Sequence, residues 1–258
     1  MPLNQRLHNS AIIVVGAGTG IGAATARRLA DEGARVCVAD INVPAAQSVV
    51  KTLRTAGAEA IAVEVDIADE GSVDAMVAAA VTHFGGLDGA HINAADLKVI
   101  HEDSDALAED LAVFDRTLAV NLRGHLLCTR AVLPHLLRRG GGPIVYTSSG
   151  AAEAGEATRP AYAMAKSGLN ALMRHVAARW GKEGIRANCV SPGVTLTPEM
   201  RASGLLPADF EATMLAHTPH RRLGTPEDIA ALVALLLSTD GEWINGQAYH
   251  IDGGVIMR

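Results

Sequence analysis

The sequence predicts one α/β domain spanning residues 1–258, a doubly wound parallel sheet with helices on both faces. Three observations carry this: short β-branched runs without hydrophilic alternation, alanine-rich segments of helical period between them, and a glycine-rich turn joining the first such pair. Apolar runs of about five residues without alternation fit strands buried on both faces, as in a parallel sheet covered by helices. Regular alternation of strand and helix is the pattern of crossover units.

Taken in order, Ala11–Val15 is the first strand, and Gly20–Glu32 is a helix that opens straight from the glycines. Arg35–Ala39 and Ala60–Val65 follow as strands, each leading into a segment of helical period, Pro44–Ala56 and Asp69–Phe84. Leu87–Ile92 is the fourth strand. Residues 96–112 are acidic and irregular, and a long helical stretch, Val113–Arg139, comes after them with a kink predicted at Pro134. Then come strand Pro143–Thr147, helix Pro160–Lys182 and strand Arg186–Val190. Residues 194–220 form a second long excursion; loops of this length in a compact domain are usually functional or mobile. Thr225-Pro226-Glu227-Asp228 reads as an N-cap, a proline in the first turn and an acidic N3 residue, so it starts the helix Pro226–Leu237. Ala248–Ile251 is the last strand.

Composition narrows the function. Lys and Arg number 22 against 28 Asp and Glu, a net charge of −6, and aromatics are only 3%. Nucleic-acid binders normally carry a basic stripe or aromatic stacking platforms, so no nucleic-acid partner is expected. The longest apolar run, Ile229 to Leu237, is too short to span a membrane. Three dispersed cysteines, Cys37, Cys128 and Cys189, without a CxxC pair point to reduced thiols and a cytoplasmic setting. Ten histidines show no HExxH or HxxxH spacing, so no metal site is expected.

The turn Gly16-Ala17-Gly18-Thr19-Gly20-Ile21-Gly22 lies between a strand and a helix. Glycines there permit a tight turn, close approach of backbone to a pyrophosphate and close helix–strand packing. The helix N-terminus adds free N–H groups and the positive end of its dipole. Asp40 ends the second strand twenty positions after Gly20, where a carboxylate accepts hydrogen bonds from the adenosine ribose and repels a 2′-phosphate. With Ile at 41 and Thr at 19, no cation favours that phosphate, and NAD is preferred over NADP. The plainer alternative is a strand-end Asp that caps the next loop. Asp66, ending the third strand, would sit beside adenine.

Tyr162 and Lys166 are four apart in a predicted helix, hence on one face one turn apart. A phenol with an ordinary pKa near 10 is a poor base at neutral pH, and a nearby ammonium favours its ionised form. By spacing alone the two also fit an ordinary surface pair. Ser149, thirteen residues before Tyr162, follows the strand Pro143–Thr147, at the kind of strand end where open α/β sheets place ligands. Asn121 falls within the long helix, where an Asn is usually solvated.

The segments GAGTGIG, INAA at 92–95, VNLRG at 120–124, IVYTSS at 144–149, YAMAK at 162–166, NCVSPG at 188–193 and INGQ to IDGG at 244–254 occur in this order. Their ordered set resembles the short-chain dehydrogenase/reductase family over essentially the whole chain. The resemblance implies a Rossmann fold of about seven parallel strands and a catalytic tetrad, Asn121, Ser149, Tyr162 and Lys166. It makes Tyr162 the general acid/base, Ser149 the group that polarises the substrate oxygen, and Lys166 the binder of the nicotinamide ribose that depresses the Tyr162 pKa. Asn121 would hold a water behind Lys166. It further assigns Gly16, Gly20, Ile21 and Gly22 to the phosphates, Asp40 to the ribose, and Asp66 with Ile67 to adenine. Asn93 and Ala94 would line the nucleotide, and Pro192, Gly193, Thr195 and Thr197 would hold the carboxamide. Residues 194–220 correspond to the substrate lid, and a homotetramer or homodimer on the two long helices is implied.

Two positions depart from the family pattern: Val15 stands where Thr is usual, and Ala95 replaces the last glycine of an NNAG string, which requires a negative φ or costs strain. The leading expectation is an NAD(H)-dependent dehydrogenase or reductase acting on a small-molecule secondary alcohol or ketone. Its alternatives are an NADPH-dependent 3-oxoacyl carrier-protein reductase and a catalytically silent NAD-binding regulator. The acidic run Glu102, Asp103, Asp105, Glu109 and Asp110 reads as a solvated loop that could disfavour anionic substrates. Glu153, Glu156 and Arg159 lie within possible reach of substrate.

Overall fold

In the computed structural model, which describes residues 5–202, 204 and 206–257, seven parallel strands form one sheet in the order β3-β2-β1-β4-β5-β6-β7. The strands are β1 Ala11–Val15, β2 Arg35–Asp40, β3 Ala60–Glu64, β4 Gly89–Ile92, β5 Gly142–Thr147, β6 Ile185–Pro192 and β7 Ala248–Ile251. The helices are α1 Gly20–Asp31, α2 Val43–Thr55, α3 Glu70–Phe84, α4 Leu111–Leu118, α5 His125–Arg138, α6 Pro160–Trp180, α7 Pro198–Ala202, α8 Phe210–Ala216 and α9 Pro226–Leu237. β1 pairs with both β2 and β4, so the strand order reverses direction beside β1. The crevice outside the carboxyl ends of strands at such a reversal is where doubly wound sheets bind ligands.

Side chains of β1 alternate between two apolar layers. Ile12 and Val14 pack with Leu29 of α1, Val49 of α2 and Val233 of α9. Ala11, Ile13 and Val15 face the layer built on Met76 of α3, Leu136 of α5 and Leu169 of α6. Burying an aliphatic side chain of this size stabilises by about 1.5–3 kcal/mol, and these layers rest almost wholly on aliphatic residues. Val15 fills its strand position as one more of them. The aromatics Phe84 of α3 and Tyr146 join them, the latter fully buried with its hydroxyl 2.9 Å from Thr129 Oγ1. Cys37, Cys128 and Cys189 are free and buried, and burial pushes each thiol up to about 12. Among the described residues no helix is long and apolar enough to cross a membrane.

The long helical stretch differs from expectation. Pro134 lies inside an unbroken α5, whereas the hydrogen-bond pattern changes at Ala119–Gly124, which is π-helical and joins α4 to α5. Close packing accompanies the change, since a Cβ on Gly124 would come within 2.8 Å of Ile67. The excursion 194–220 contains α7 and α8; Ser203 and Leu205, within the predicted lid, lie outside the described residues, as do 1–4 and 258 of the predicted domain.

The start of α9 is as the sequence predicts. Thr225 N–H donates to Asp228 Oδ2 at 2.8 Å, and Arg222 forks onto the same carboxylate at 2.6 and 2.8 Å. The Arg222 hydrogen bond, aided by Thr225, holds the Asp228 carboxyl down to about 2. A carboxylate depressed on folding stabilises above its ordinary value of 3.8 and loses that contribution as pH falls through about 2. Loss of such a cap costs about 1 kcal/mol, or roughly 2–4 °C in a protein of this size. Asp228→Ala is expected to lower Tm by that amount at pH 7, with the gap to wild type closing as melts are repeated from pH 4 toward pH 2.

Candidate active site

The turn after β1 leaves no room for a side chain at Gly16 or Gly22. Gly16 has φ +76°, and a Cβ there would lie 2.5 Å from Ala94 Cα; a Cβ on Gly22 would collide with the Gly16 carbonyl oxygen. Asp40, at the end of β2, accepts Gly18 N–H on Oδ2 at 2.7 Å and Asn42 N–H on Oδ1 at 2.8 Å. Both backbone bonds pin the carboxylate against the turn and leave each oxygen further lone pairs. The carboxylate thus does cap its loop, and the geometry is equally open to a ribose. α1 begins here with neither a side-chain cap nor an acidic residue in its first turn. Its N–H groups and positive dipole end are therefore available to an anion. This cradle fits the diphosphate of a dinucleotide.

The other predicted contacts surround the same turn. Asn93 donates to the Gly16 carbonyl at 2.9 Å, Asp66 accepts Ala68 N–H at 2.9 Å, and Ile67 is buried beneath Gly124. Ile21 is half-buried on the first turn of α1. Pro192 ends β6, and Gly193 is packed so tightly on Asp252 that a Cβ would lie 2.7 Å from its Cα. Thr195 donates to the Gly193 carbonyl at 3.1 Å. Thr197 accepts Met200 N–H at 3.1 Å, capping α7, and its methyl would sit 3.3 Å from a Cβ on Gly20, so residues 193–197 fold over the turn. Ala95 carries no positive φ, and the departure from glycine costs no strain there.

The catalytic candidates converge at the end of β5. Lys166, 1% exposed, donates from Nζ to the Thr147 carbonyl at 2.8 Å, and burial lowers its pKa to about 8. Ser149 accepts Ala151 N–H at 3.2 Å, and its hydroxyl lies near enough to the Tyr162 phenol to lower that group's proton affinity. The phenol is raised above its ordinary 10 by burial; Ser149 and then Arg159 pull it down, and Glu156 pushes it up. Lys166 was expected to lower it but is not among these influences: its Nζ lies 5.6 Å from the ring centroid and points its hydrogen bond at Thr147. Asn121 is fully buried rather than solvated. The π-helical turn directs its amide to Asp96, whose N–H it accepts at 2.8 Å and whose carbonyl it reaches at 3.2 Å.

Two groups in this site gave no signal in the sequence. The Thr147 hydroxyl donates to Asn93 Oδ1 at 2.9 Å and lies 2.9 Å from His91 Nε2. With its proton directed to Asn93, the hydroxyl must accept from His91, which fixes the tautomer with a proton on Nε2. Burial holds His91 down to about 3, so it is neutral at physiological pH. An alternation pattern shows His91 only as one residue of a buried strand.

The acidic run is a solvated loop at Glu102, Asp105 and Asp110, which are exposed, but not throughout. Asp103 is buried, Asp105 accepts Leu107 and Ala108 N–H, Glu109 accepts Ser104 N–H, and Asp110 caps α4 at Ala112 N. Glu153 lies 3.1 Å from His250, and Glu156 lies 2.6 Å from Arg159.

Comparison with known proteins agrees with this geometry. The family model described as enoyl-(acyl carrier protein) reductase matches residues 16–256. A probable short-chain type dehydrogenase/reductase of Bradyrhizobium diazoefficiens is 41% identical, covering 98% of this chain and 89% of the relative. Cis-4-hydroxycyclohexanecarboxylate dehydrogenase of Sinomonas cyclohexanicum is 40% identical, covering 94% of each chain. The solved structure of a 7α-hydroxysteroid dehydrogenase complexed with NADH and 7-oxo glycochenodeoxycholic acid superposes with a TM-score of 0.91 at 33% identity, covering 99% of this chain and 97% of that one.

The buried ammonium has a measurable signature. A lysine whose pKa falls from 10.5 to about 8 on folding binds fewer protons than the unfolded chain between those values, so stability rises with pH across that window. Lys166→Met removes this dependence. Measured as the difference in unfolding free energy, wild type should gain on Lys166→Met as pH rises from about 8 toward 10.5; a constant difference would mean that Lys166 is not desolvated.

Proposed function

The chain belongs to the short-chain dehydrogenase/reductase family, and from that premise we propose that it is an NAD(H)-dependent oxidoreductase interconverting a secondary alcohol and a ketone. The observation that carries this is the meeting of Ser149, Tyr162 and Lys166 at the end of β5, beside the glycine turn and Asp40. A bound nicotinamide supplies the hydride acceptor or donor at its C4 carbon.

Ser149 hydrogen-bonds the substrate oxygen and holds it against Tyr162, stabilising charge as it develops. Tyr162 takes the hydroxyl proton in oxidation and returns it in reduction. Lys166 binds the nicotinamide ribose, and Asn121 holds a water behind it, as the resemblance implies. Pro192, Gly193, Thr195 and Thr197 orient the carboxamide. Asp40 favours NAD through charge, since a 2′-phosphate would meet a carboxylate pinned 2.7 Å from Gly18 N, and the next residue, Ile41, is 60% exposed and uncharged. The names of the hydroxycyclohexanecarboxylate and hydroxysteroid relatives support an alcohol on a saturated ring as the substrate class.

The family model's description names a carrier-protein reductase of the enoyl kind, and the second reading is an NADPH-dependent 3-oxoacyl carrier-protein reductase. Asp40 and Ile41 speak against the phosphate, and NADPH outperforming NADH in parallel assays would revive that reading. A silent NAD-binding regulator has no use for the complete tetrad. We further propose a cytoplasmic homotetramer or homodimer packed through α4–α6, whose outer faces expose Leu111, Leu126 and Met164.

Tyr162→Phe should lower turnover of a ring alcohol by about 10²–10⁴-fold, the usual contribution of a general acid/base, with NADH affinity retained. Full activity in that variant, followed by NADH absorbance, would remove Tyr162 from the reaction. Because burial raises the phenol and oxidation needs its ionised form, kcat/KM for alcohol oxidation should climb from neutral into alkaline pH.

A further inference from the structure

Asp103 lies in the segment between β4 and α4, 59 residues before Tyr162, yet it is only 3% exposed and both of its carboxylate oxygens are engaged. Oδ1 accepts Ala161 N–H at 3.2 Å, and Oδ2 accepts Tyr162 N–H at 2.8 Å. The first turn of α6 cannot supply these acceptors itself. Its cap residue, Arg159, has the left-handed values φ +68° and ψ 45° and makes no side-chain cap bond, and Pro160 has no N–H. Left-handed backbone in a residue with a Cβ persists only where its surroundings enforce it. Here a second strap does so, Arg159 N–H to the Ser104 carbonyl at 2.8 Å, with Ser104 N–H held in turn by Glu109 at 2.6 Å.

The same segment is tied at its other end to Asn121 through both backbone groups of Asp96. Residues 96–104 therefore run from one member of the tetrad to another. The remaining acidic neighbours do not share this work: Asp105 and Asp110 bond only N–H groups of their own segment or of α4.

We propose that Asp103 is a positioning residue for Tyr162, fixing the first turn of α6 so that the phenol stays beside Ser149 and faces the substrate oxygen. The inference rests on Tyr162 being the acid/base. Without the Asp103 carboxylate, two N–H groups at the start of α6 lose their acceptor and the Arg159 conformation is left with the Ser104 strap alone, so the turn shifts. A displacement of about 1 Å at a reacting centre can cost 10²-fold in rate. The phenol would also move away from Ser149, which lowers its proton affinity, and the rising limb of alcohol oxidation would shift to higher pH.

The test compares Asp103→Ala, Asp103→Asn and, as a control, Asp110→Ala, which removes a helix cap from the same segment. Asp103→Ala should lower kcat by about 10–100-fold, shift the rising limb upward and leave NADH affinity within about twofold. Asp103→Asn retains one oxygen acceptor and should recover part of both effects, so it also carries the test if the alanine variant fails to fold. Asp110→Ala should lower Tm while kcat and the pH profile stay as in wild type. Wild-type kcat with an unshifted limb in Asp103→Ala, or equal kcat losses in Asp103→Ala and Asp110→Ala, would overturn the assignment. If wild type turns over no alcohol or ketone, the proposed activity fails separately. Hydrogen exchange at residues 160–163 then decides the contact itself: faster exchange in Asp103→Asn supports the tether, and unchanged exchange refutes it.

Discussion

Lys166 brings an ammonium into a place almost without water, and the carbonyl of Thr147 at 2.8 Å gives it a hydrogen-bond acceptor there. A charge so buried is tolerated only with its hydrogen bonds satisfied, and even so its proton affinity falls. The residue that supplies this acceptor also joins the two ends of the site. Through its hydroxyl, Thr147 receives a bond from His91 and gives one to Asn93, which donates to Gly16 in the glycine turn. Three adjacent strands, β1, β4 and β5, are thereby linked at their carboxyl ends by side chains as well as by the ladder. That chain, with the Lys166 bond to the Thr147 carbonyl, ties the glycine turn to α6, and removing one member of a buried polar chain is costly.

Much of this was legible in the sequence because the signals are local. Unbroken apolar runs such as Ala11–Val15 and alanine-rich segments such as Gly20–Asp31 reveal strands and helices, and Thr225 to Asp228 reveals a helix start. The glycine turn and Asp40 are legible for the same reason, since steric permission and charge belong to single residues. What escaped depends on partners distant in sequence. Asp103 reads as one acid in a polar run until α6 is seen to lack acceptors in its first turn. His91 reads as a strand residue until Thr147 is found beside it. Periodicity also cannot distinguish α-helical from π-helical hydrogen bonding over a single turn. Asn121 therefore looked solvated, and Pro134 looked like the break.

The phenol illustrates why spacing alone misjudges electrostatics. Four-residue spacing does put Lys166 and Tyr162 on one face of α6, but the ammonium lies over the ring, 5.6 Å from its centroid, and bonds Thr147. Burial raises the phenol, and Ser149 and Arg159 partly offset that. The proton affinity of the Tyr162 phenol therefore depends on the strand end that carries Ser149 and the helix start that carries Arg159, so the placement of α6 against β5 matters beside the Tyr–Lys spacing.

In the proposed reaction the carbinol carbon gives its hydride to the nicotinamide while its hydroxyl gives its proton to Tyr162. A ring alcohol carrying deuterium on its carbinol carbon, incubated with NAD⁺ and followed by proton NMR of the nucleotide, tests it most directly. The account predicts deuterium at the nicotinamide C4, on one face only, in amounts equal to the ketone formed. Ketone formed without label in the cofactor, or bound cofactor that gains no label from any alcohol in a broad panel of ring alcohols, would contradict it.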